Sequence, residues 1–115
     1  MSDDRLYLLD MLESIQLIES YAEEGYKAFR QTRKTQDAVI RNFEIIGEAT
    51  KNISLELREA HRDVPWRRMA GLRDVLIHRY GRIDLDEVWG VVQDNLPVLK
   101  GKIEAILREP GDTPY

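Results

Sequence analysis

Thr35-Gln36-Asp37-Ala38-Val39-Ile40-Arg41-Asn42-Phe43-Glu44-Ile45-Ile46-Gly47-Glu48-Ala49-Thr50-Lys51-Asn52-Ile53 is the stretch on which the fold turns. Val39, Phe43, Ile46, Ala49 and Ile53 recur at steps of three and four, the spacing of one face of an α-helix. Thr35 is a capping residue type, and Asp37 is placed against the positive end of the helix dipole. Ser54 then caps a short helix through Ala60. The same periodicity spreads toward both ends of the chain. Leu8, Met11, Leu12, Ile15, Ile18 and Ala22 form the buried stripe of a first helix that starts after Asp3 or Asp4, either of which can cap it. Gly25 ends or bends it, and Tyr26 to Lys34 reads as an irregular connection with room for one short turn.

Downstream, Pro65 suits the first turn of a third helix, which runs through Met69, Leu72 and Leu76 until Gly81 stops it. Asp84-Leu85-Asp86-Glu87 has the form of a capping box and opens a fourth helix. Its core face is Leu85, Val88, Trp89, Val92, Leu96, Leu99, Ile103 and Ile106, with a kink or split at Pro97. Pro110 to Tyr115 reads as a frayed tail. No segment alternates as a strand would. These patterns predict an all-α fold, an antiparallel four-helix bundle with short extra helices. They place a single domain over 1–109 and a tail over 110–115.

Composition narrows the function classes. A chain of 115 residues with 43% hydrophobic and 33% charged residues has the balance of one globular domain. It lacks cysteine, which excludes disulfides, thiolate nucleophiles and cysteine-ligated zinc and suits a reducing cytoplasm. The acidic start, Ser2-Asp3-Asp4, is unlike a secretory signal, and no apolar run reaches bilayer length. The net charge of −4 conceals an asymmetry. From Arg58 to Arg82, seven arginines stand against Glu59, Asp63 and Asp74, a local balance of +4 that leaves −8 elsewhere. A basic band on an acidic body can hold a polyanion locally; read blandly, it is a solvated face with arginine stems over apolar surface.

The candidate chemistry is confined to a few residues. There is no P-loop, no G-x-G-x-x-G and no nucleophile elbow around the four serines. The two histidines, His61 and His78, are too few for a histidine-rich metal site in one chain. Glu44 and Glu48, one turn apart, offer two carboxylates to a hard cation, but read first as a solvated face, with Lys51 a turn from Glu48. On a continuous third helix turning about 100° per residue, Leu72, Leu76 and Tyr80 centre on the buried stripe and Arg73 lies at its margin. His78 lies about 180° away from the stripe, with Asp74 one turn before it. Arg73, His78 and Tyr80 therefore do not converge on one straight helix. They meet if the helix end near Gly81 turns the ring, or if a second copy of the chain supplies part of the site.

Arg73-Asp74-Val75-Leu76-Ile77-His78-Arg79-Tyr80 resembles the R-x-x-x-x-H-x-Y motif of the HepT family, toxins within the HEPN superfamily of ribonucleases. Further blocks resemble the family in order: 4–7, 34–42, 44–49, 64–67 and 84–89. The resemblance covers almost the whole chain except the tail. It implies a helical-bundle homodimer whose two motif copies face one cleft. It also implies a metal-independent endoribonuclease with Arg73 and His78 as catalytic residues, acting on RNA without cofactor. A nucleotidyltransferase antitoxin is implied as partner, with Tyr80 as the acceptor of AMP. Asp74 departs from the asparagine usual after the motif arginine; an acidic neighbour favours the charged imidazolium of His78, aiding a general acid and harming a general base. Arg79 suits a phosphate ligand. Two other readings compete: a catalytically silent helical subunit of a nucleotidyltransferase, which Asp74 favours, and an oligomeric scaffold with Trp66 and Trp89 as interface anchors.

Overall fold

The computed structural model describes residues 2–76 and 82–109, and every element among them is helical. In chain order these are α1 (Ser2–Tyr21), α2 (Tyr26–Gln31), α3 (Arg33–Lys51), α4 (Leu55–Ala60), α5 (Trp66–Ala70), α6 (Leu72–Leu76), α7 (Leu85–Gly90) and α8 (Leu96–Leu107). A π-helical turn, Val91–Asn95, joins α7 to α8. The predicted tail lies mostly outside the described residues, as does the Gly81 stop. No described helix is long and apolar enough to cross a membrane.

The core is one cluster, and its membership follows the helical stripes. Leu8, Met11, Ile15 and Ile18 of α1 meet Val39, Phe43, Ile46 and Ala49 of α3, all buried. Val88, Val92, Leu96, Leu99, Ile103 and Ile106 close the cluster from the C-terminal arm. Trp66 is buried there too, its Nε1 donating to the carbonyl of His61 at 2.9 Å. Trp89 is half-buried against the rings of Phe29 and Tyr26. Both tryptophans thus serve this chain's own packing.

Two N-termini differ from expectation. The first helix already includes Asp3 and Asp4 in its first turn. Asp4, buried, turns away from its own helix and accepts from the Ser54 backbone N–H at 2.8 Å and the Ser54 hydroxyl at 2.6 Å. Ser54 in turn accepts from the Leu57 N–H at the start of α4, the predicted cap. The second long helix starts at Arg33, with Thr32 rather than Thr35 at the cap position, and Asp37 pairs instead with Arg33 one turn back.

The region 26–34, expected to be irregular, contains α2. Six residues are too few to hold a helix alone, so tertiary contacts must hold it. Phe29 is buried in the core, and the buried Gln36 side chain donates to the carbonyls of Phe29 and Arg30, satisfying the orphan acceptors at the end of α2. The Asp84 cap forms, its carboxylate accepting from the Glu87 N–H at 3.1 Å. Pro97 splits the last helix as expected: it has no N–H for the carbonyl four residues back and its ring crowds that turn. The chain widens into the π-turn before restarting with Pro97 in the first turn of α8.

Candidate functional site

The expected third helix is broken. α5 ends at Ala70, Gly71 leaves helical geometry (φ −95°, ψ 15°), and α6 restarts at Leu72. Glycine weakens a helix interior, and here it divides the basic segment into two short helices. The angular projection from Met69 through Tyr80 assumed one continuous helix, so its phase does not carry across Gly71. Met69 and Leu76 are both buried, as the stripe required, whereas Leu72 is only half-buried.

The break lies over the middle of α3, and Gly47 explains the close approach. A Cβ at Gly47 would stand 3.2 Å from the carbonyl oxygen of Met69 and 3.3 Å from that of Ala70. A side chain at this position would have to push these carbonyls back by a few tenths of an ångström, so glycine suits the close approach of α5 to the α3 backbone. The next residues of the chain are thereby carried past Glu44, one turn before Gly47.

Arg73, the second residue of α6, reaches Glu44 from this position. Its Nε donates to Glu44 Oε2 at 2.8 Å, while the other carboxylate oxygen lies 3.7 Å from Arg41 Nη1. The Arg73 side chain is 62% exposed and that of Glu44 28%. Tyr7, Asp10, Arg41, Glu44, Lys51 and Arg73 line an open groove of about 440 Å³ between α1, α3 and the α5–α6 break. Asp74 is exposed on α6, and its N–H donates to the Gly71 carbonyl. His78, Arg79 and Tyr80 lie outside the described residues.

The basic band proves heterogeneous. Arg58 is structural: its guanidinium donates to the carbonyls of Thr50 (2.7 Å) and Ile53 (3.3 Å), closing the C-terminal end of α3. Arg62, Arg67, Arg68 and Arg82 are exposed. His61 is remote from the groove, its Nε2 3.1 Å from Glu109 Oε1. The expected pairing of Glu48 with Lys51 is present at 3.7 Å. Glu44, by contrast, is no plain solvated residue, because it bridges two arginines. Nothing local announces that contact, since its partner is 29 residues away. Gly47 carried only a weak signal: a glycine inside an otherwise regular helical pattern costs about 1 kcal/mol against alanine and so invites a packing reason.

A family model described as "Ribonuclease HepT-like" matches residues 11–106, a span that contains the whole 73–80 segment. The chain is similar to a "Probable ribonuclease HepT" of Thermococcus cleftensis, 46% identical over 101 residues, covering 87% of this chain and 92% of the relative. A Methanocaldococcus jannaschii protein named "Gamma-glutamylcyclotransferase and putative RNase" is 44% identical over 93% of this chain, which spans about half (49%) of that longer protein. A "Putative RNase" of the same organism is 39% identical over 105 residues, 90% of this chain and 96% of the relative. No solved structure matches significantly. With the family model covering most of its length, the chain belongs to the HepT-like ribonuclease family.

Proposed function

We propose that the chain is a metal-independent endoribonuclease of the toxin type, working in the cytoplasm as a homodimer of one domain spanning 1–109. The observation that carries this reading is the order Arg73, His78, Tyr80 inside the matched span 11–106, with the Arg73 guanidinium open to solvent at a groove. RNA brings its own nucleophile. The 2′-hydroxyl attacks the adjacent phosphorus, a base takes its proton, an acid protonates the departing 5′-oxygen, and the product is a 2′,3′-cyclic phosphate. Histidine titrates where either proton transfer is useful, and arginine binds the phosphate through its planar fork. One chain offers one motif histidine, so a symmetric dimer supplies the pair that acid and base require. Arg79 adds charge near the phosphate.

Control belongs to Tyr80 in this reading. A nucleotidyltransferase antitoxin transfers AMP from ATP: the tyrosine oxygen bonds to the α-phosphorus and pyrophosphate leaves. The new phosphodiester anion occupies the place of the substrate phosphate beside Arg73, and its adenosine fills the cleft. The decisive experiment is RNA cleavage in EDTA by the wild type and His78→Ala. Cleavage by the first and not the second, with a cyclic phosphate end, supports the assignment. A strict Mg²⁺ requirement, or equal activity in both, overturns it. A second reading, a silent subunit of the nucleotidyltransferase, is favoured by Asp74 in place of asparagine; it requires that the wild type bind its partner yet cut no RNA.

A further inference from the structure

We infer that Glu44 is a positioning residue for Arg73, holding its Nε so that both Nη groups face the substrate phosphate; this rests on the ribonuclease reading above. The guanidinium has five N–H donors in a fixed plane. Glu44 Oε2 engages the Nε–H at 2.8 Å, leaving the four donors of Nη1 and Nη2 on a side chain that remains 62% exposed. An arginine on a long flexible stem otherwise samples many rotamers. Locking it at Nε fixes the plane and direction of the fork without using the edge that grips a phosphate bidentately.

Three features favour positioning over stability as the purpose of this contact. Exposed ion pairs add little to folding, so a pair this open is a poor structural tie. The other oxygen of the carboxylate lies 3.7 Å from Arg41, one turn earlier on α3. The approach that brings the two helices together depends on Gly47, one turn later on the same helix. Anchor, neighbour and close approach therefore fall on consecutive turns of a long, well-packed helix, while Arg73 sits just beyond a glycine break. A well-packed scaffold supporting a catalytic side chain is the arrangement that preorganisation requires.

The test compares Glu44→Ala, Glu44→Gln and the charge control Glu48→Ala with the wild type, on RNA in EDTA and by NMR of the Arg73 Nε–H resonance, assigned with Arg73→Lys. Misplacing a catalytic group by about an ångström costs on the order of 10²-fold, so Glu44→Ala should lower kcat by about 10–10²-fold, with a smaller rise in KM. Glu44→Gln keeps an oxygen that accepts from Nε and should recover to within a few-fold of wild type. Glu48→Ala should cut normally, and all variants should melt with the wild type. The Arg73 Nε–H should exchange slowly in the wild type and Glu44→Gln, and rapidly in Glu44→Ala. A cleaving wild type with an indifferent or faster Glu44→Ala overturns the inference alone, as does a Glu44→Gln no better than alanine or a freely exchanging wild-type Nε–H. If the wild type cuts no RNA, the ribonuclease reading fails and the role of Glu44 falls with it, while a protected Nε–H would still report the contact.

Discussion

Asp4, in the first turn of α1, and Glu44, midway along α3, each fasten a short helix to the pair of long ones, but they do so in different surroundings. Asp4 is 6% exposed and spends both carboxylate oxygens on Ser54, whose hydroxyl passes the contact on to the first turn of α4. Glu44 meets Arg73 at a groove where water competes for every bond. Burial of the carboxylate makes such a hydrogen bond costly to remove, since the half-buried Ser54 left behind has little access to water. Exposure makes the same bond nearly neutral for folding. One carboxylate therefore belongs to the stability of the fold, and the other can be devoted to holding a side chain for chemistry.

The largest expected effect tests the exposed side of that contrast. Arg73→Ala should lower RNA cleavage by about 10²–10³-fold, the range for losing one preorganised charge-stabilising group. Arg73→Lys should fall between, because a point charge lacks the fork. His61→Ala, remote from the groove and facing Glu109, should cleave as the wild type does. Full activity in Arg73→Ala, measured by initial rates on a labelled RNA, would place the site elsewhere.

Next in size is the approach that brings the two regions together. Gly47→Val forces a branched side chain against the Met69 and Ala70 carbonyls, where even a Cβ is tight at 3.2 and 3.3 Å. Overpacking of this kind costs about 2–3 kcal/mol, read as a lower urea midpoint with an unchanged slope. Cleavage should drop further than the lost stability accounts for, because α6 moves with α5. A variant as stable as the wild type would show that α5 can slide on α3, and the contact between Glu44 and Arg73 would lose its geometric basis.

Asp4→Ala, on the buried side, should cost about 1–2 kcal/mol, the lower part of the scale for stripping a partner from buried donors, because Ser54 is itself half-buried. Asp4→Asn, which keeps one acceptor oxygen, should cost about half as much. Cleavage by both should match the wild type at temperatures where they are folded. Denaturation of Asp4→Ala at the wild-type midpoint would erase the distinction between the two carboxylates.

What was legible in the sequence follows the same division. Burial repeats with the helix, so the stripes of α1, α3 and the C-terminal arm could be read from spacing alone, as could the Ser54 and Asp84 caps, which depend on residues three apart. Contacts set by tertiary packing were not legible. Gln36 reaching back to Phe29 and Arg30, Asp4 reaching Ser54 across 50 residues, and Glu44 reaching Arg73 across 29 leave no periodic trace. α2 was legible only as room for one short turn, because Gly25 at its start offers no capping side chain, whereas Ser54 marks the equally short α4. Of the site, Arg73 could be singled out by its motif. Its isolation beyond Gly71 could not, because a single glycine in an amphipathic run is compatible with both a continuous and a broken helix.

Tyr26 and Asp86 offer a third carboxylate contact, the most exposed of the three, and the smallest expected effect. The Tyr26 hydroxyl donates to Asp86 Oδ1 at 2.5 Å, with Arg30 at 3.5 Å from the same oxygen. The hydrogen bond to Asp86 raises the phenol pKa above its ordinary value; burial and the charge of Asp86 add to this, and Arg30 opposes it. A group whose pKa is raised on folding stabilises the fold below its unfolded pKa, and that contribution is lost as pH rises through the folded value. At neutral pH the contact is therefore intact, and any weakening appears only above about pH 10, where a free tyrosine ionises. Because the pair lies in water, its stabilisation should be slight, so Tyr26→Phe should melt within a degree or two of the wild type at pH 7. The same variant should remove a late-titrating phenol from an ultraviolet titration of the folded protein. Loss of a mid-range phenol instead would mean that Asp86 does not hold Tyr26 in solution. A large drop in melting temperature would mean that exposed carboxylate contacts bear more of this fold than their surroundings allow, and the contrast between Asp4 and Glu44 would have to rest on geometry rather than on burial.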